Sequence, residues 1–70
     1  MTVSQQSNRL AVIRKARGLS GAELGRRVGV DRSLVSHIEA GRMAPWPAFR
    51  RRAAEALGVD EALLFGVEGP

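Results

Sequence analysis

Apolar residues recur along this chain at spacings of three and four residues, and turn-forming residues interrupt the pattern at regular intervals. This spacing places apolar side chains on one face of an α-helix. The two-residue alternation typical of a half-buried strand is absent from the sequence. The pattern therefore predicts an all-α fold class, with helix after helix separated by the glycines Gly18, Gly29, Gly41 and Gly58.

Capping residues set the expected helix boundaries. Ser7 is the expected cap of the first helix, with an earlier start near Ser4 as the alternative. Ser20 and Glu23 fit a capping box, Asp31 and Asp60 are expected caps, and Pro47 suits a first helical turn. The five predicted helices span residues 8–17, 21–28, 31–41, 47–57 and 61–65. We expect one domain over residues 8–66, with flexible tails at 1–7 and 67–70.

The composition excludes several classes of function. The chain has 70 residues, no cysteine and one histidine, His37, so disulfides, thiolate zinc sites and a cysteine nucleophile are ruled out. We expect neither a metal nor a cofactor. No apolar run approaches the roughly 18 residues that span a bilayer, and the polar segment Met1 to Ser7 lacks the apolar stretch of a secretory signal. The sequence therefore indicates a cytoplasmic protein without a membrane partner or a small-molecule substrate.

Charge is distributed unevenly along the chain. Residues 1–52 hold all eleven basic side chains and three of the seven acidic ones, a net charge of +8, whereas residues 53–70 carry −4. A segment this basic attracts polyanions with strong salt dependence. A bias towards arginine-rich composition is the alternative explanation, but it does not explain why the basic residues stop at Arg52.

Residues 21–40 satisfy the constraints of two helices that cross closely through a tight glycine turn. A small residue, Gly25, stands where the second helix of the pair passes over the first, and Gly29 stands in the turn, where positive φ is favoured. Apolar residues occupy the five positions where the helices and the core meet, namely Leu24, Val28, Val30, Val35 and Ile38. The alternative is an ordinary pair of amphipathic helices in a bundle.

These residues resemble the Xre/Cro, or lambda-repressor-like, family of bacterial and phage regulators. The likeness covers about residues 8 to 66 and implies a compact five-helix helix-turn-helix domain that binds double-stranded DNA. It is carried by Leu10, Ile13, Arg14, Gly18-Leu19-Ser20, Glu23-Leu24, Val28-Gly29-Val30, Ser33, Val35-Ser36-His37-Ile38-Glu39, Gly41-Arg42, Pro45, Ala54, Leu57-Gly58-Val59 and Leu63-Leu64.

Two positions depart from the family pattern. Gly21 stands where the family usually has a glutamine that binds a phosphate and braces the recognition helix. Gly25 stands where alanine is usual, and this exchange loosens the helix by up to about 1 kcal/mol. Both departures suggest a weaker or less specific DNA binder.

The resemblance implies a set of DNA-contacting residues. Arg32 is the strongest candidate for reading a base, since a guanidinium can bond guanine O6 and N7 together; the alternative is a solvated arginine. Ser33, Ser36 and His37 match the remaining base-reading positions, although His37 also fits an ordinary exposed residue. The expected phosphate contacts are Ser20, the Gly21 amide, Arg42, Met43 and Ala44.

Two further expectations concern contacts between helices and a possible dimer surface. By resemblance, Arg14 in the first helix pairs with Glu39 near the end of the recognition helix and fixes its tilt; the alternative is two exposed charges. Trp46 is expected to pack against the fourth helix. Alternatively, it forms an exposed dimer patch with Met43 and Pro45.

The sequence thus predicts a sequence-specific DNA-binding transcriptional regulator, a repressor that associates with the nucleoid. Family members often bind pseudo-palindromic operators as dimers, with half-sites one helical turn apart, so we expect a weak homodimer. The rival hypothesis is a protein-interaction adaptor, such as the antitoxin of a toxin–antitoxin pair. An enzyme is not expected, since Asp31, Ser36 and His37 share one short helix and have no second base or pocket.

Overall fold

The computed structural model describes residues 8–66, and over this range it contains five helices and no strand. The predicted all-α fold class is therefore confirmed. None of these helices is long and apolar enough to cross a membrane. The expected flexible tails, 1–7 and 67–70, lie outside the described residues. The helices are α1 (Leu10–Ala16), α2 (Gly21–Val28), α3 (Arg32–Glu39), α4 (Pro47–Leu57) and α5 (Glu61–Phe65).

Helix α1 begins later than the sequence predicted. The expected cap, Ser7, lies outside the described residues, and the helix starts at Leu10 instead of Asn8. The side-chain oxygen Oδ1 of Asn8 accepts a hydrogen bond from the Leu10 N–H at 3.0 Å. Asn8 thus satisfies one of the first-turn donors that have no partner within the helix, and the prediction that it lies inside the helix was wrong.

The caps of α2 and α3 follow the sequence closely. Ser20 forms the predicted capping box with Glu23, and Gly29 ends α2 in the left-handed conformation at φ +87°. Asp31 caps α3, as predicted. The helix ends at Glu39, before the predicted end at Gly41. Asp60 is the N-cap residue of α5, as predicted, but its side chain makes no capping hydrogen bond.

The core lies where the inner faces of all five helices meet. The buried residues come from every helix, and they are Leu10, Leu24, Val28, Val35, Ile38, Phe49, Ala53, Ala54, Leu57 and Leu64. Burial of a large apolar side chain contributes about 1.5–3 kcal/mol, so truncation of any one of the larger side chains in this cluster should destabilise the fold. Val30, predicted as a core position, is half-buried and packs against the edge of this cluster.

Helix α5 is held to α4 by a charged and aromatic contact that the sequence does not reveal. The Arg50 guanidinium lies 3.6 Å from the Glu61 carboxylate and 5.4 Å from the centre of the Phe65 ring. Phe65 in turn packs against Phe49 with ring centres 6.2 Å apart. The partners are more than ten residues apart on different helices, so no periodicity connects them.

Candidate nucleic-acid interface

One face of α3 is buried and the opposite face is open. Val35 and Ile38 point into the core with 1% and 0% of their surface exposed. Helical periodicity then directs the intervening side chains outward. Of the four predicted base-reading residues, Arg32, Ser33 and Ser36 are exposed and His37 is half-buried. The structure therefore brings all four onto one helix, with three of them exposed.

The start of α3 is ordered by Asp31. Its Oδ2 atom accepts hydrogen bonds from the Ser33 hydroxyl at 2.6 Å and from the Ser33 N–H at 3.0 Å. The bond from the hydroxyl, followed by the bond from the N–H, lowers the pKa of Asp31. Because its proton is committed to Asp31, the Ser33 hydroxyl offers only its lone pairs to an external partner.

Arg14 and Glu39 form a bidentate ion pair between α1 and the last residue of α3. The Arg14 Nε and Nη2 atoms donate to the two Glu39 carboxylate oxygens at 2.7 and 3.1 Å, and Nη1 donates to the Leu19 carbonyl at 2.8 Å. Only 12% and 13% of the two side chains is exposed. The hydrogen bond to Glu39, stronger than the opposing effect of burial, raises the pKa of Arg14 above its ordinary value.

Asn8 makes a second connection to the same end of α3. Its Nδ2 atom donates to the Ile38 carbonyl at 2.9 Å, while its Oδ1 atom accepts the N–H of Leu10, the first residue of α1. Sequence reasoning missed this contact. An asparagine just before an amphipathic helix indicates a cap, but nothing in the sequence indicates a partner 30 residues away.

The N-terminus of α2 carries the first part of the predicted phosphate site. Ser20 is exposed and Gly21 is half-buried. The capping box already uses the Ser20 N–H, which donates to the Glu23 carboxylate at 2.8 Å. This hydrogen bond, followed by a second one from the Ser20 side chain, lowers the pKa of Glu23. The Gly21 amide remains as a donor for a phosphate, as expected where a helix N-terminus binds an anion.

The loop between α3 and α4 carries the rest of the predicted phosphate site. Arg42, Met43 and Ala44 are all exposed. Trp46 packs against Phe49 of α4, with ring centres 5.3 Å apart, yet 39% of its surface stays exposed, as does 38% of Met43. The tryptophan thus packs on the fourth helix, and part of its surface and of the Met43 surface stays exposed.

The chain matches known proteins over most of its length. A family model described as a helix-turn-helix domain matches residues 7–64. An uncharacterized HTH-type transcriptional regulator of Methanothermobacter thermautotrophicus is 36% identical over 59 residues, which cover 80% of this chain and 86% of the relative.

Two solved structures share the fold. The restriction-modification controller protein C.AhdI from Aeromonas hydrophila superposes with a TM-score of 0.75 at 33% identity, over 79% of this chain and 83% of the other. A hypothetical transcription factor, NHTF, from Neisseria gives a TM-score of 0.72 at 33% identity, over 77% of this chain and 61% of the other. The turn between α2 and α3 contains a glycine, Gly29. This chain belongs to the Xre/Cro, lambda-repressor-like family of helix-turn-helix domains.

Proposed function

We propose that the protein is a sequence-specific DNA-binding regulator of transcription, acting as a repressor, with α3 lying in the major groove. The observation that supports this most directly is the outer face of α3. Arg32, Ser33 and Ser36 are exposed along it, while Val35 and Ile38 anchor its inner face. A helix held in this way can enter a major groove and present several side chains to base edges.

The surrounding charges fit a duplex. Arg26 and Arg27 on α2, Arg17 after α1 and Arg42 after α3 are all exposed. Contacts of this kind neutralise phosphates and orient the domain without reading sequence. We propose that Ser20, the Gly21 amide, Arg42, Met43 and Ala44 contact the backbone on the two sides of the groove, and that residues 8–66 form the DNA-binding domain.

The relatives support regulation as the outcome of binding. Two of them are described as a transcriptional regulator and a transcription factor, and the third as the controller of a restriction-modification system. We propose the same class of role here, at the nucleoid in the cytoplasm, without a catalytic function or a cofactor. The candidate acid, base and nucleophile, Asp31, His37 and Ser36, all lie on or next to α3, where they serve binding.

We further propose a weak homodimer on a pseudo-palindromic operator, with half-sites roughly 34 Å apart. Exposed apolar side chains on the loop after α3, Met43 and Trp46, supply a contact between two copies. Sedimentation of the protein alone and with a two-half-site duplex tests this: we expect a monomer alone at micromolar concentration and two copies on the duplex. Two copies that bind half-sites independently of their spacing would contradict it.

Selection of binding sites from a random duplex library tests the main proposal. We expect enrichment of one motif, bound about a thousandfold more tightly than a scrambled duplex, with affinity falling steeply as salt rises. Equal affinity for the selected and scrambled duplexes would contradict sequence-specific regulation. That result, together with capture of one defined protein partner, would favour the adaptor hypothesis instead.

A further inference from the structure

The last turn of α3 is attached to the N-terminal part of the chain at two neighbouring residues. Arg14 bonds to the Glu39 carboxylate, and Asn8 bonds to the Ile38 carbonyl at 2.9 Å. The first bond holds a side chain, which can change rotamer. The second holds the main chain of α3 itself.

We propose that Asn8 is a positioning residue for DNA reading, which sets the tilt of α3 by fixing its C-terminal turn to the start of α1. The inference rests on the proposed function. It assigns to Asn8 an effect on sequence discrimination through Arg32, Ser33 and Ser36, with no contact between Asn8 and the bases.

Asn8 is suitable as an anchor because its own segment is fixed. Its Oδ1 atom accepts the Leu10 N–H at 3.0 Å, and the next residue, Arg9, donates its N–H to the Leu64 carbonyl of α5 at 2.8 Å. A displacement of the end of α3 would therefore have to break the Asn8 bond or move this whole junction.

The Ile38 carbonyl can take this bond without loss to the helix. It is one of the last four carbonyls of α3, which have no partner further along the helix, and it already accepts the Gly41 N–H at 3.1 Å. A carbonyl oxygen has two lone pairs, so the Asn8 amide occupies the second. Two bonds to consecutive residues of α3 constrain its rotation about its own axis as well as its distance from α1.

The chemistry of the contact selects asparagine. One short side chain must accept from Leu10 and donate to Ile38, and an amide carries both an acceptor and a donor. Serine at this position keeps an acceptor for the Leu10 N–H but is too short to reach Ile38. The variant Asn8→Ser therefore separates the bond to the Leu10 N–H from the connection to α3.

The test compares Asn8→Ser with the wild-type chain in two measurements. With the duplex selected by the wild-type protein, we expect Kd to rise about three- to tenfold, the effect of one lost hydrogen bond. For a scrambled duplex we expect a change of less than about twofold, because phosphate contacts do not depend on the tilt of α3 in the same way. The control variant, Val59→Ala, removes apolar contact at the α4–α5 end and should lower stability without changing the ratio of the two Kd values.

Amide hydrogen exchange, measured without DNA, provides the second readout. In Asn8→Ser we expect faster exchange at Gly41 and Arg42, which donate to the carbonyls of Ile38 and His37, relative to the α2 amides; Val59→Ala should not produce this local change. Unchanged exchange at these positions, or an unchanged Kd ratio, would overturn the positioning role. If the wild-type chain itself does not discriminate between duplexes, the proposed function fails, while exchange still decides whether Asn8 holds α3.

Discussion

A β-carbon added at Gly25 would lie 2.6 Å from the carbonyl oxygen of Val30. Gly25 is buried on α2 beneath the backbone that leads into α3. The same β-carbon would also meet the backbone of Asp31 and Arg32 at 3.5 and 3.6 Å. The absence of a side chain at this position therefore sets how closely the two helices of the DNA-binding unit approach each other.

This contact reverses the usual effect of a glycine within a helix. Gly25→Ala would gain up to about 1 kcal/mol from helix propensity, but relief of the clash requires α3 to move. We expect a net loss of about 1–3 kcal/mol, as for other overpacked sites, measured by urea unfolding. Gly21→Ala is the matched control, since its β-carbon would meet only the Arg32 side chain at 3.9 Å. A Gly25→Ala variant more stable than the wild type would contradict the close approach.

The sequence predicts a small residue at position 25 but does not predict how tight the crossing is. Comparison with the family suggests that glycine loosens α2, because alanine is usual there; the structure shows that alanine would not fit at the observed distance. The spacing of residues along the chain predicts which of them lie at the contact between two helices. It does not report the distance between two backbones, which depends on packing in three dimensions.

Features of the interface that depend on spacing along the chain could be predicted, whereas those that depend on three-dimensional packing could not. The outward face of α3 follows from periodicity, because burial of Val35 and Ile38 determines where Arg32 and Ser36 point. Local hydrogen bonds such as the Ser20–Glu23 capping box follow from residue type and spacing. The Asn8–Ile38 bond joins residues far apart in the chain and leaves no such pattern, so only the structure reveals it.

The Arg14–Glu39 pair should contribute strongly to stability because it is shielded from water. Glu39→Ala leaves the Arg14 guanidinium nearly buried without its carboxylate, and we expect a loss of about 3 kcal/mol with a lower Tm. Glu61→Ala is the matched control, because its pair with Arg50 is longer, at 3.6 Å, and Glu61 is 43% exposed. The stability lost in Glu61→Ala should be below about 1 kcal/mol. Equal effects in calorimetry would show that shielding adds nothing to the Arg14 pair.

Arg32 should carry most of the information that the protein reads from a base pair. Arg32→Ala is expected to weaken binding to the selected duplex by about 1–3 kcal/mol and to relax the sequence preference at one position. Arg51→Ala removes the same charge from an exposed position on α4, so its effect should be small and nearly equal for all duplexes. Fluorescence anisotropy with the selected and scrambled duplexes measures both. Equal losses from the two variants would remove Arg32 from the base-reading set.

Asp31 should restrict which bases Ser33 accepts. Because the Ser33 hydroxyl donates to Asp31 at 2.6 Å, Ser33 can only accept, so we expect cytosine N4 or adenine N6 opposite it. In Asp31→Gly the hydroxyl is free to donate, and glycine at a cap costs only a few tenths of a kcal/mol. Site selection with this variant should admit guanine or thymine at that position. The control is Asp60→Gly, at a cap position with no side-chain capping bond, which should leave the selected motif unchanged.

The two capping carboxylates should make the domain sensitive to acid. Hydrogen bonds lower the pKa of Glu23, mainly through the Ser20 N–H, and that of Asp31, mainly through the Ser33 hydroxyl. Both groups therefore hold protons more weakly in the folded than in the unfolded chain, so their stabilising effect is complete above the ordinary pKa values. It is lost as the pH falls from those values, 4.5 for Glu23 and 3.8 for Asp31, through the lowered ones.

Measurement of Tm between pH 7 and acid separates these two groups from the other carboxylates. In the double variant Glu23→Gln, Asp31→Asn, the amide oxygens still accept the capping bonds but do not titrate. We expect its Tm to fall less steeply than that of the wild type below about pH 4.5, where unfolded glutamate begins to take up protons. Parallel curves for the two proteins would mean that Glu23 and Asp31 bind protons equally well in the folded and the unfolded chain. The acid sensitivity would then have to come from carboxylates outside the starts of α2 and α3.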